Sequence, residues 1–222
     1  MKIFLDTANV EQIAQALRWG MLDGVTTNPT HVSKTGADPR RLYPQICALA
    51  AGRPVSLETI SLDADGIIQE ARQLATIADN VVVKVPVMKE GLVAVQHLSA
   101  EHIKTNVTTT FSPLQALLAA KVGATYVSPF VGRLDAIGHI GMDLVRQIRQ
   151  IYANYGYSTQ IIVAAVRHPL HVLEAALAGA EICTMGFDVL EKLYDHPLTD
   201  IGMELFLKDW KKVPQGEPAG AK

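Results

Sequence analysis

A chain of 222 residues, 49% hydrophobic and 19% charged, holds enough apolar material for one large core, and its length admits one domain or two. The net charge of −2 excludes the broad basic field that nucleic-acid binding requires, and no apolar stretch reaches the length of a membrane span. Met1 leads straight into Lys2-Ile3-Phe4-Leu5-Asp6 without a signal-peptide pattern, and Cys47 and Cys183 lie in apolar surroundings with no partner motif, so the expectation is a cytoplasmic protein with buried free thiols.

Short apolar strands alternate with helix-period stretches along the chain. Strands are expected to begin near Lys2, Gly24, Val55, Val81, Lys104, Thr125, Gln160 and Glu181, with helices over 10–18, 63–77, 112–120, 142–152 and 169–177. Several of these helices open on Ser, Asp or Pro, residues that cap or start them. Eight such units predict an α/β fold, a single (β/α)8 TIM barrel, over an open doubly wound sheet. The near-copies Val122-Gly123-Ala124-Thr125-Tyr126-Val127 and Ala178-Gly179-Ala180-Glu181-Ile182-Cys183 each read as a helix C-cap glycine feeding a strand. The segment 132–141 is glycine-rich without nucleotide-binding spacing, and reads as a loop. After the last strand, 198–212 reads as an additional C-terminal helix with Ile201, Leu205, Phe206 and Trp210 on one face. Such a face must dock on its own barrel or on a neighbouring subunit. Barrel and helix together span 1–212, and 213–222, rich in Pro, Gly and Ala, is expected to be a disordered tail.

Barrel chemistry sits where strands end on the C-terminal face. The polar residues there are Asp6, then Thr26, Thr27 and Asn28, then Glu58 and Thr59, Lys84, Asn106 and Thr108, Ser128 with Arg133 beyond it, and Arg167. Each has a plain alternative: Asp6-Thr7-Ala8-Asn9 as a helix cap, Asn28-Pro29 as a turn, Asn106-Val107-Thr108 as a strand with polar spacers. Lys84 is the hardest to set aside, because Val81-Val82-Val83-Lys84-Val85-Pro86 otherwise reads as a fully buried strand. Burying a cation costs several kcal/mol unless it is paired or gives up its proton, and a neutral amine is a nucleophile suited to imine formation with a carbonyl substrate, without metal or organic cofactor. The alternative is an edge strand with Lys84 snorkelling to water. His168-Pro169-Leu170-His171, with Glu174 one turn on, has a superficial metal-ligand look, but Pro169 at a helix start makes these helix-surface groups.

Taken together, Leu5-Asp6-Thr7-Ala8-Asn9, Gly24-Val25-Thr26-Thr27-Asn28-Pro29, Val83-Lys84-Val85-Pro86, Thr105-Asn106-Val107-Thr108, Ser128-Pro129-Phe130-Val131-Gly132-Arg133 and Arg167-His168-Pro169 resemble the transaldolase family. The closest resemblance is to its short branch, which includes the fructose-6-phosphate aldolases, and it runs to about Trp210. The resemblance implies that Lys84 forms the Schiff base with the ketose carbonyl, that Asp6 is the acid/base removing the C4 hydroxyl proton, and that Glu58 relays protons through a water. It implies that Asn28, Asn106 and Ser128 hold the hydroxyls of a dihydroxyacetone unit, and that Arg133 and Arg167 grip the terminal phosphate; Thr26 and Thr108, on the same strand ends, are further substrate-binding candidates. Aldolase members of the branch carry Gln in place of Glu58 and Ala-Pro-Tyr in place of Ser128-Pro129-Phe130, so Phe130 points to a transaldolase that passes the unit from sedoheptulose 7-phosphate or fructose 6-phosphate to an aldose phosphate in the pentose phosphate pathway. Release of free dihydroxyacetone is the alternative. One departure falls in the phosphate site, where relatives show Ala-Ser and this chain has Ala164-Ala165; the missing hydroxyl admits another terminal anion, such as the sulfonate of 6-deoxy-6-sulfofructose. Met185-Gly186-Phe187 also has glycine where relatives often have proline. The remaining implications are small-molecule sugar substrates, no cofactor, no metal, no nucleic acid, no membrane, and a homo-oligomer, a decamer of two stacked pentameric rings joined partly by the terminal helix.

Overall fold

The short β-branched runs of the sequence are buried on both faces, as parallel strands covered by helices must be. In the computed structural model, which describes residues 1–214, they form a closed parallel barrel whose strands pair in sequence order, the first closing against the last. The order is β1 (Lys2–Asp6), α1 (Val10–Arg18), β2 (Gly24–Thr26), α2 (Pro29–Thr35), α3 (Pro39–Leu49), β3 (Val55–Glu58), α4 (Ala64–Ala75), β4 (Val81–Pro86), α5 (Lys89–Ala100), β5 (Thr105–Thr110) and α6 (Pro113–Lys121). Then follow β6 (Tyr126–Pro129), α7 (Val131–Asp135), α8 (Gly141–Tyr155), β7 (Gln160–Val163), α9 (Pro169–Leu177), β8 (Ile182–Met185), α10 (Phe187–Lys192) and α11 (Pro197–Trp210). Of the tail expected over 213–222, residues 215–222 lie outside the described residues.

Helix starts follow local chemistry. Asn9 accepts from the backbone N–H groups of Glu11 and Gln12, so the cap that the Asp6–Asn9 motif offered belongs to Asn9 and leaves Asp6 free. Asp38 and Asp63 cap α3 and α4, and Ser112 with Gln115 forms a capping box on α6. The loop expected over 132–141 is corrected at its start. Val131–Asp135 is a short helix that begins straight after β6, with Val131 and Leu134 buried.

Two packing layers give the barrel its shape. Outward-facing strand residues such as Leu5, Val25, Leu57, Val83, Val107, Val127 and Cys183 join the helices in one large core. Inside the barrel, Phe4, Val82, Tyr126, Ile162 and Ile182 form a separate apolar plug, each large side chain stabilising the fold by about 1.5–3 kcal/mol. Phe4 lies where a Cβ on Gly24 would come within 2.5 Å of its ring, so only glycine there lets the plug close. Because side chains on one face of a strand recur every second residue, the next interior layer is two residues on: Asp6, Thr26, Lys84, Ser128 and Thr184. The barrel thus changes from an apolar floor to a polar mouth in one step.

Cys47 and Cys183 are buried free thiols. Burial pushes their pKa values up to about 11 and about 12, which keeps them protonated and inert. Helix α11 has no buried residue; Leu198, Phe206 and Trp210 are all exposed, so the alternative that it docks on its own barrel does not hold. No helix among the described residues is long and apolar enough to cross a membrane.

Candidate active site

The polar mouth opens into a cavity of about 530 Å³. Of the site residues singled out in the sequence, Asp6, Thr26, Asn28, Glu58, Lys84, Ser128, Phe130, Arg133, Ala165 and Arg167 reach its wall, whereas Thr27, Thr59, Asn106 and Thr108 do not.

Lys84 lies at the cavity floor, 5% exposed. It is not on an edge strand, because β4 is paired on both sides. Its Nζ stands 3.1 Å from Glu58 Oε2 and donates to the Thr27 carbonyl at 3.1 Å. The strand register sets Glu58 directly beside Lys84, so the carboxylate touches the amine.

Asp6 stands at the end of β1. The Thr26 hydroxyl donates to its Oδ1 at 2.8 Å, and His31 Nε2 approaches its Oδ2 at 3.2 Å. Since Thr26 spends its single proton on Asp6, the 2.6 Å contact between Thr26 and Thr184 has Thr184 as the donor. Burial works to raise the Asp6 pKa, but the His31 hydrogen bond and charge, with smaller help from Lys84 and Thr26, outweigh it and hold the carboxyl below its ordinary value.

Asn106 is fully buried beneath the wall, donating to Ser56 Oγ at 3.2 Å and accepting from Ser128 Oγ at 2.7 Å. It therefore orients Ser128 from below. Thr108 is fully buried too. A register shift between Val107 and Thr110, with Thr109 at a φ of +55°, breaks the two-residue alternation there and brings Thr109 to the wall instead. Asn28 serves both readings, since its Oδ1 caps α2 by accepting from His31 N at 2.9 Å while the residue lines the cavity.

Arg133 and Arg167 line the same cavity. The Arg133 guanidinium sits 5.2 Å from the Phe130 ring centroid, a cation–π contact that holds the charge over the cavity wall. A Cβ on Gly132 would meet the Ala165 carbonyl at 2.3 Å and Arg167 Cγ at 2.7 Å, so glycine is what lets the two arginine-bearing segments close on each other. Ala165, at a φ of +57°, presents only backbone and a methyl group to the cavity.

Several neighbours escaped the sequence reading. His31 and Lys34 come from α2, and Thr184 from β8. A lone His or Thr on a helix or strand carries no local signal, and only barrel closure brings β8 beside β1. His171, read as a helix-surface group, is corrected: it is 5% exposed, accepts from Arg167 N at 3.2 Å and meets Asp135 Oδ2 at 2.7 Å.

Comparison with known proteins agrees along nearly the whole chain. The family model described as transaldolase/fructose-6-phosphate aldolase matches residues 3–216. A protein of Aquifex aeolicus named "Probable transaldolase" is 63% identical over 215 residues, covering 97% of this chain and 99% of the relative. Proteins of the same name from a Hydrogenobaculum species and from Petrotoga mobilis are 60% and 58% identical, each over 96% of this chain and over 98% and 96% of their own lengths.

Proposed function

The chain belongs to the transaldolase/fructose-6-phosphate aldolase family, and we propose that it is a transaldolase, moving a dihydroxyacetone unit from a ketose phosphate to an aldose phosphate through a Schiff base on Lys84. The observation that carries this reading is a buried amine in contact with one carboxylate, Glu58, in the same cavity as a second, Asp6, and two arginines. Lys84 attacks the ketose C2 carbonyl, and Glu58, 3.1 Å from Nζ, takes and returns the protons that loss of water from the carbinolamine requires. Asp6, kept ionised by His31, accepts the C4 hydroxyl proton as the C3–C4 bond breaks and the first aldehyde leaves. The enamine left on Lys84 then adds to the incoming aldehyde, and the same steps run in reverse. Ser128 and Asn28 hold substrate hydroxyls, and the arginines take the terminal anion, where binding energy remote from the reacting carbons orients them.

Transfer is favoured over free aldol cleavage by Phe130, which offers no hydroxyl to hold a water against the enamine. The test is a panel of ketose donors differing in their terminal anion, assayed for transfer and for free dihydroxyacetone. Transfer from fructose 6-phosphate or sedoheptulose 7-phosphate well above free release is expected; predominant release would make the protein an aldolase. A preference of tenfold or more, about 1.4 kcal/mol, for a sulfonated ketose would favour the second reading, which rests on the missing hydroxyl at Ala165. A cytoplasmic homo-oligomer goes with this proposal, and the uncovered apolar face of α11 supports self-association.

His31→Leu tests the acid/base role of Asp6. Because Asp6 works as a carboxylate, kcat/KM rises with pH through its pKa, and the contacts that lower that pKa keep activity at acid pH. Removing His31 leaves burial, the largest influence, less opposed, so the acid limb of the kcat/KM profile should move to higher pH. A limb that stays in place would remove Asp6 or His31 from this role.

A further inference from the structure

Arg133 and Arg167 come from different βα units, yet a shared anion needs them at a constant spacing. Three contacts tie their segments together. The Val131 N–H donates to the Ala164 carbonyl at 3.0 Å. Gly132 packs with no room for a Cβ against Ala165 and Arg167. The third is a chain of hydrogen bonds through a buried imidazole. His171 Nδ1 accepts from the Arg167 N–H at 3.2 Å, which leaves Nε2 as the protonated nitrogen that donates to Asp135 Oδ2 at 2.7 Å. Asp135 ends α7, two residues after Arg133, and its other oxygen accepts from Gly141 N at 2.7 Å at the start of α8.

We propose that His171 and Asp135 form a latch that sets the spacing of Arg133 and Arg167, and so governs how tightly the terminal anion of the sugar is held. Both are positioning residues: neither lines the cavity, and each acts through an arginine-bearing segment. The latch requires a neutral imidazole, because a proton on Nδ1 would face the Arg167 N–H. Burial, with the nearby charge of His168, outweighs Asp135 and Glu174 and lowers the His171 pKa, which is consistent with that state. The inference rests on the proposed role of the two arginines as anion ligands.

The test compares kcat/KM for fructose 6-phosphate with that for unphosphorylated fructose in wild type, His171→Phe, Asp135→Ala and Arg167→Ala. His171→Phe keeps a ring of similar size without its nitrogens; Asp135→Ala alters a part-exposed side chain and serves as the second reading should the Phe variant fail to fold. In both latch variants the preference for the phosphorylated donor should fall about tenfold, through KM more than kcat, while borohydride trapping of dihydroxyacetone on Lys84 persists. Equal losses on the two donors, or an unchanged ratio, overturn the latch. If Arg167→Ala collapses the ratio and the latch variants do not, the latch alone is wrong; if Arg167→Ala also leaves the ratio unchanged, the arginine reading falls and the latch with it.

Discussion

Lys84→Met should abolish transfer while leaving the barrel folded. The methionine chain fills a similar volume between the same strands, but it carries no amine, so no imine forms and the C3–C4 bond has no electron sink. Loss of a covalent mechanism should cost several orders of magnitude in rate, and borohydride with a ketose should no longer add mass to the protein. Retention of more than about one per cent of the wild-type rate would overturn the Schiff-base assignment. The variant loses the partner of Glu58, and breaking a fully buried pair costs about 3–5 kcal/mol. The Glu58 side chain is 13% exposed and reaches cavity water, so the thermal midpoint should fall without loss of the folded state, as circular dichroism would record.

Glu58→Gln should lower kcat by about 10²- to 10⁴-fold, the usual worth of a positioned acid/base group, with little change in donor KM. The amide oxygen can still accept from the Lys84 ammonium, so the amine stays beside Thr27 and the cavity keeps its shape. What the amide cannot do is take up the proton that carbinolamine formation and collapse pass back and forth. Single-turnover kinetics should therefore show slow imine formation and slow hydrolysis. A variant with raised KM and unchanged kcat would make Glu58 a binding group and return the proton transfer to water or to Asp6.

Much of this arrangement was legible along the chain because it is encoded by short-range periodicity. Phe4 and Asp6, Val82 and Lys84, and Tyr126 and Ser128 are each two residues apart, and on a strand that spacing means one face. An apolar residue followed by a polar one at that spacing already describes a plugged barrel with a polar mouth. The starts of α1, α4 and α6 were equally local, since Asn9, Asp63 and Ser112 satisfy backbone donors only two or three residues away. Lys84 was conspicuous for the same reason: a charge within a β-branched run conflicts with its immediate neighbours.

Other features depend on contacts that no local pattern encodes. The bulge that exchanges Thr108 for Thr109 at the cavity wall is a property of how β5 registers against β6, and an unbroken run of threonines conceals it. The hydrogen bonds of Asn106 to Ser56 and Ser128, brought in from flanking strands, are equally invisible along the chain. His31 meets Asp6 across 25 positions of chain, and His171 meets Asp135 across 36. The sequence by itself determined the barrel and marked Lys84 as a charge set within an apolar strand, because both follow from the alternation of side chains along a strand and the capping of a helix. Only the tertiary structure decided which residues surround Asp6 and which tie the Arg133 and Arg167 segments together, because hydrogen bonds and charge act over a few ångströms of space, and folding of the barrel brings those distant positions within that range.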